Sequence, residues 1–282
     1  MIERFNFYDV YGYLIPGAVA LSLFWLPFAL AVTPNLPKTL TGATGAAVLA
    51  VLAYVTGQLL QMFAATILSE RNERNERPST YRIDRSPIRE ELAKAIEQRF
   101  PTIKILDERG QRDAAMLLCR SHLVAQGQAA YAEQQQGMYA FMRGISTAAA
   151  GAASFTAGWF LGSFFAAFAP HARQFAMGIG VGVLAILIFT VRAKKIEEKQ
   201  RKERAIFATL LVTFAVAVGF ACGSDHASYR WAMLALALVE LLIALRTFRA
   251  YIHFAEHFVD QVYRDFLNLD LEQKPVQPGW RP

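Results

Sequence analysis

One acidic residue, Glu240, stands inside the apolar run WAMLALALVELLIAL. A carboxylate at bilayer depth costs roughly 3 kcal/mol or more on insertion scales, so it normally faces a protein interior or a water-filled path. Two chemistries fit such a residue. In a symmetric oligomer, one acid per subunit forms a ring that selects cations. In a transporter, the same acid carries a proton or a cation. A structural role is the competing explanation: the acid is protonated and hydrogen-bonded, or the span is shifted and Glu240 sits shallower. Gln58 and Gln61, near the inner end of another apolar stretch, are candidates to line the same path. Amides of this kind more often hydrogen-bond between helices.

Other residue patterns carry less chemistry. The segment HFAEH, His253 to His257, places two imidazoles one helical turn apart, as the His-x-x-Glu-His pattern of inverted zinc proteases does. Such enzymes need a further acidic ligand well downstream, and no residues at the usual distance follow here, so no metal is expected. The chain shows no phosphate-binding loop, dinucleotide fingerprint or paired aspartate motif. Neither enzymatic activity nor a cofactor is expected. The run RAKKIEEKQRKER carries seven Lys and Arg against three Glu. It is first a topology determinant. It is also a candidate regulator site, through Lys194, Lys195, Lys199, Arg201, Lys202 and Arg204, for a nucleotide, an oligonucleotide or a lipid head group.

The elements that would position these residues follow from where charge is missing. The chain has 282 residues, 54% of them hydrophobic and 18% charged. No charged residue lies between Lys38 and Glu70, Arg143 and Arg173, Arg173 and Arg192, or Arg204 and Asp225. A hydrocarbon core about 30 Å thick takes roughly 20 apolar residues to cross as a helix. Six transmembrane helices are therefore expected, over about 10–32, 42–68, 144–168, 174–191, 205–222 and 230–245. The fourth and fifth are short, and a re-entrant pair is their alternative.

Lys and Arg set the orientation. Every one of them except Lys38, Arg173 and Arg230 falls in the N-terminus, residues 70–143, residues 192–204 or the tail from Arg246. Both termini and the large insertion are expected in the cytoplasm, and the net charge of +6 is mostly a consequence of this bias. The N-terminus MIERFNFYDVYG lacks a basic leader region and no small-residue cleavage site follows, so the first apolar stretch is expected to remain as a span. Cys119 and Cys222 then lie on opposite sides of the membrane, which excludes a disulfide between them.

The expected organisation is a first transmembrane hairpin (1–69), a helical cytoplasmic insertion (70–143), four further transmembrane helices (144–248) and a cytoplasmic amphipathic helix with a tail (249–282). In fold class this is an all-α membrane protein of three hairpins. The i,i+4 pairs of SERNERNERP favour continuation of the second span as a solvated helix that stops before Pro78. Ser86-Pro87 opens a short helix to about Phe100. From Gln111 the pattern supports helix almost unbroken into the third span. TIKIL is the one candidate strand. Tyr251, Phe254, Ala255, Phe258, Val259, Val262, Tyr263 and Phe266 form a helical apolar stripe. Its polar side is not Lys-rich, which favours packing on protein over binding to anionic lipid. Gly-x-x-x-Gly pairs at 158/162, 178/182 and 219/223 predict tight helix packing within or between subunits. Pro16-Gly17 and Pro27 should bend or break the first span.

The opening FNFYDVYGYLIPG, an aromatic-Asp-Tyr stretch running into Pro-Gly at a span, resembles small multi-spanning bacterial inner-membrane effectors of anti-phage defence systems. The resemblance covers the first span and the hairpin layout. It implies a protein that oligomerises and opens the inner membrane when a cytoplasmic partner signals infection. One such type, the Hailong system, pairs a channel-forming membrane protein with a nucleotidyltransferase whose oligonucleotide product holds the channel closed. The functional expectation is an oligomeric ion channel or membrane-depolarising effector gated through its cytoplasmic region. The alternatives are a proton- or cation-coupled transporter and a membrane scaffold that recruits a cytoplasmic partner.

Overall fold

In a computed structural model of the chain, the described residues are 7–31, 42–68, 78–85, 89–103, 111–165, 176, 200–223 and 229–273. Among them the regular structure is helical throughout. Of the candidate strand, Thr102 lies in a turn, and Lys104 to Leu106 are outside the described residues. The helices are α1 (Ile15–Ala31), α2 (Ala43–Ile67), α3 (Pro78–Arg85), α4 (Arg89–Arg99), α5 (Gln111–Ala125), α6 (Ala130–Phe165), α7 (Gln200–Gly223) and α8 (Arg230–Gln273). Three stretches, Val10–Ala31, Ala43–Thr66 and Arg230–Leu269, are long and apolar enough to cross a membrane. They mark the chain as a membrane protein. The apolar helix Phe207–Gly223 is shorter. The expected third span falls in the Ala- and Gly-rich part of α6, and the fourth, but for Ala176, is outside the described residues.

The chain divides into two compact units, one of residues 1–69 with 140–251, the other of residues 70–139 with 252–282. Both divisions inside helices fall in the longest ones, α6 and α8.

In the first unit, α1 is entered through a π-helical turn, Val10–Leu14. Pro16 explains the irregularity. It has no N–H to give to the carbonyl of Gly12, so the α-helical ladder cannot close there. Pro27 is carried within α1. Helices α6 and α7 meet through two glycine pairs. A Cβ on Gly158 or Gly162 would run into the backbone carbonyls of Val216 or Phe220, and one on Gly219 or Gly223 into those of Phe155 or Trp159. The two Gly-x-x-x-Gly pairs therefore face each other within one chain; Gly178 and Gly182 are outside the described residues. Gly17 and Gly57 bring α1 and α2 together in the same way, against Ala53 and Tyr13. Phe24, Phe28, Phe155 and Trp159 fill the adjoining space, Phe28 meeting Trp159 edge-on at 4.9 Å. The outer surface is apolar: Val51, Trp231 and Leu242 are 63%, 64% and 66% exposed.

The second unit has a core of the kind found in water-soluble domains. Ile83, Leu92, Ile96, Ile103 and Leu123 pack with Val259, Val262, Tyr263 and Phe266 of α8. The ring of Phe266 stacks on Phe100 at 6.0 Å and meets His122 edge-on. Arg82 grips Asp260 with two hydrogen bonds, one of them from Nε to Oδ1 at 2.9 Å. The part of the apolar stripe from Phe258 to Phe266 thus packs on the insertion.

Two local expectations are corrected. α2 ends at Ile67, with Leu68 extended, rather than running on toward Pro78. Pro78 itself opens a helix, α3, since a first-turn proline loses no hydrogen bond; residues 69–77, where the charged pairs before it fall, are outside the described residues. The helix from Gln111 breaks at Gly127, whose φ is +70°. Gly127 N–H donates to Val124 at 3.1 Å and Gln128 N–H to Leu123 at 2.9 Å, a Schellman ending that needs a residue with no Cβ in the left-handed region.

Candidate functional site

Helix α8 places Glu240 by periodicity. Met233, Ala237, Glu240, Ala244 and Tyr251 are buried at helical spacing, while Leu238, Val239, Leu241 and Leu242 are exposed. Glu240 therefore occupies the inward stripe of an otherwise apolar segment, between two alanines that leave room for it. Its relative exposure is 0%. Neither carboxyl oxygen has a hydrogen-bond partner among the described residues.

Thr156 of α6 is the polar group beside it. Thr156 is also fully buried, and its hydroxyl lies near the carboxyl without the alignment of a hydrogen bond. Hydroxyls in apolar helices commonly turn back to the carbonyl four residues earlier. Ser22, Thr66, Thr147, Ser154 and Thr213 of this chain all do so. Thr156 does not, which leaves its Oγ1 for Glu240. One turn further along α8, the carbonyl of Ala244 accepts Ser146 Oγ at 3.1 Å and Thr247 Oγ1 at 3.2 Å. The stripe that carries Glu240 is thus polar again on the side of Arg246.

Of the residues expected to share the path, Gln61 is buried and Gln58 is exposed, so the two face different surroundings. Gln61 is a clasp. Its Nε2 donates to the Gly12 carbonyl that Pro16 leaves open, at 2.8 Å, and to the Ala140 carbonyl at 2.6 Å. Its Oε1 accepts Arg143 Nε at 2.8 Å. Gly144 makes the space: a Cβ there would stand 2.7 Å from Pro16 Cβ and 3.0 Å from Gln61 Nε2. None of these bonds reaches Glu240.

Lys194, Lys195 and Lys199 are outside the described residues. Arg201, Lys202 and Arg204 belong to the start of α7. His253 and His257 sit one turn apart with ring centroids 4.2 Å from each other, and no metal-binding group of three ligands occurs among the described residues. Cys119 and Cys222 are not disulfide-bonded. Burial pushes the Cys119 thiol up to about 12, so it is protonated at neutral pH and is no nucleophile.

The sequence singled out Glu240 but not Thr156 or Ser146. A lone hydroxyl in an Ala- and Gly-rich helix carries no signal of its own, because most such groups are satisfied by their own helix. The signal is the acid on α8, which requires a polar neighbour on whatever packs against it. No protein-family model, curated protein or solved structure matches this chain.

Proposed function

We propose that this chain is an ion-conducting protein of the bacterial inner membrane, a channel or membrane-depolarising effector whose path passes Glu240. In this reading it has six spans in three hairpins, with both termini and the 70–143 insertion in the cytoplasm. It works as a homo-oligomer in the lipid bilayer, opened from its cytoplasmic part. The observation that carries the reading is the Glu240 carboxyl, enclosed in an apolar helix bundle with neither oxygen hydrogen-bonded among the described residues. A purely structural acid uses its oxygens, because an unsatisfied buried polar group is costly. A site that binds and releases an ion leaves them available.

The basic run of Lys194, Lys195, Lys199, Arg201, Lys202 and Arg204 is the place for a cytoplasmic regulator, a nucleotide or an oligonucleotide in the manner of the defence effectors that the N-terminal stretch resembles. One observation favours a second reading, a proton- or cation-coupled transporter. Glu240 is enclosed by its own chain, as a carrier residue is, and not turned outward as a ring around a shared axis requires. Current recordings from purified protein in planar bilayers separate the readings. Stepwise conductance is the expected result. Substrate-dependent flux without steps favours the transporter, and silence with and without nucleotides and oligonucleotides would leave a scaffold.

A further inference from the structure

We propose that the ion taken up by Glu240 is a proton, held between its carboxyl and the hydroxyl of Thr156. The inference rests on the reading of Glu240 as a path residue and names what moves there.

The number of oxygens decides it. Divalent hard cations gather about six oxygen ligands or more, and alkali cations give up their hydration shell only to a ring of oxygens. The buried polar side chain beside Glu240 is Thr156, and among the described residues the two carboxyl oxygens and Thr156 Oγ1 are left without a hydrogen-bond partner. The flanking positions of the stripe are Ala237 and Ala244. The rest of the chain does not enlarge the set with charge. Between Asp9 and Glu70, between Glu133 and Glu197 and between Asp225 and Glu256, Glu240 is the sole acid. The helices that bound this unit carry few titratable groups of any kind. There is none in Ile15–Ala31, none in residues 144–165, Tyr54 alone in Ala43–Ile67 and Cys222 alone in Phe207–Gly223. On α8 itself the other charged residues between 230 and 251 are Arg230, Arg246 and Arg249, all exposed. A sodium or potassium ion would be under-coordinated here.

A proton needs one oxygen, and two suffice to hand it on. The carboxylate accepts a proton and becomes a neutral acid, the form that an apolar enclosure favours. Its O–H then donates to Thr156 Oγ1. On release, the Thr156 O–H donates to the carboxylate. No bond other than the O–H is made or broken. The neighbouring hydroxyls of Ser146 and Thr247, gathered at the Ala244 carbonyl one turn away, lie on the same face of α8.

Dicyclohexylcarbodiimide tests this in proteoliposomes of the full chain. A protonated carboxyl adds across a carbodiimide C=N bond to give an O-acylisourea, which rearranges to a stable N-acylurea that mass spectrometry locates on the peptide. Glu240 should be labelled. The labelling rate should fall roughly tenfold per pH unit above the titration midpoint, as the protonated fraction does. Saturating NaCl or KCl should leave the rate unchanged, and Thr156→Val should move the midpoint while the protein still folds. Glu240→Gln should show no label in that peptide. Protection by Na+ or K+ at constant pH would overturn the proton assignment while preserving an ion path through Glu240. Absence of label in the membrane at every pH, with labelling after denaturation, would mean a sealed structural acid and overturn both.

Discussion

The tightest helix contacts of the first unit are made by backbone, those of the second by side chains. Gly158 and Gly162 sit against the carbonyls of Val216 and Phe220, while Gly219 and Gly223 sit against those of Phe155 and Trp159. In the second unit the helices are held apart and together by Ile83, Leu92, Ile96, Leu123, Val262 and Phe266. The difference tracks the surroundings. Lipid tails are as apolar as leucine, so burying leucine between membrane helices gains little, and close backbone approach is what holds them. Water makes burial of large side chains the main driving force. The exteriors differ too: Val51, Trp231 and Leu242 face outward in the first unit, whereas the second turns Glu90, Glu91, Lys94 and Arg264 outward beside Leu117 and Val124.

Substitutions break this contrast in opposite ways. Gly158→Leu has the largest expected effect. Its side chain meets a carbonyl of the α7 backbone, which has no rotamer to yield, so the cost should exceed the usual overpacking range of about 1–3 kcal/mol. We expect loss of the folded protein in mild detergent, read by size-exclusion chromatography. A stable Gly158→Leu variant would mean that α6 and α7 do not meet through these glycines. Phe266→Ala should cost about 3–5 kcal/mol, as deletion of a buried aromatic ring does. Denaturation followed at the second unit's buried Cys119, by thiol accessibility, measures it. A cost under about 1 kcal/mol would show that the second unit's core is not held as described.

The smallest effect concerns Asp265. One of its oxygens accepts Gln261 Nε2 at 2.7 Å, and the other has no partner among the described residues. Burial raises its carboxyl above the usual range. The folded state then binds this proton more tightly than the unfolded one. Its unfavourable contribution is absent below the ordinary carboxylate range and grows as pH rises toward the raised value. Asp265→Asn should therefore raise the thermal midpoint at neutral pH and lose that advantage in acid. An advantage independent of pH would point to a cause other than charge.

How much of this was legible depends on the scale of the pattern. The apolar runs that became α1, α2 and the first part of α8 are visible because lipid or a buried face demands long uncharged segments. The stripe from Tyr251 to Phe266 is visible because one face repeats at helical spacing. Junctions were read less well. Pro78 and Gly127 each mark a boundary, but proline both ends and begins helices, and Gly127 shows its role only through φ. The clasp at Gln61 was half legible, since Pro16 predicts an open carbonyl at Gly12 but not which side chain closes it. Glu240 stood out by itself. Thr156 became visible only when packing put it beside that acid.

Glu240→Gln tests whether this carboxyl carries the proton. The substitution keeps the shape and a hydrogen-bonding group while removing the group that ionises, so insertion and assembly should equal the parent's. The measurement is proton uptake into proteoliposomes under an imposed membrane potential, with a pH-sensitive dye inside. Flux is expected through the parent protein and should be lost in Glu240→Gln, with the same oligomer on size-exclusion chromatography. Equal flux through both proteins would contradict a proton-carrying Glu240.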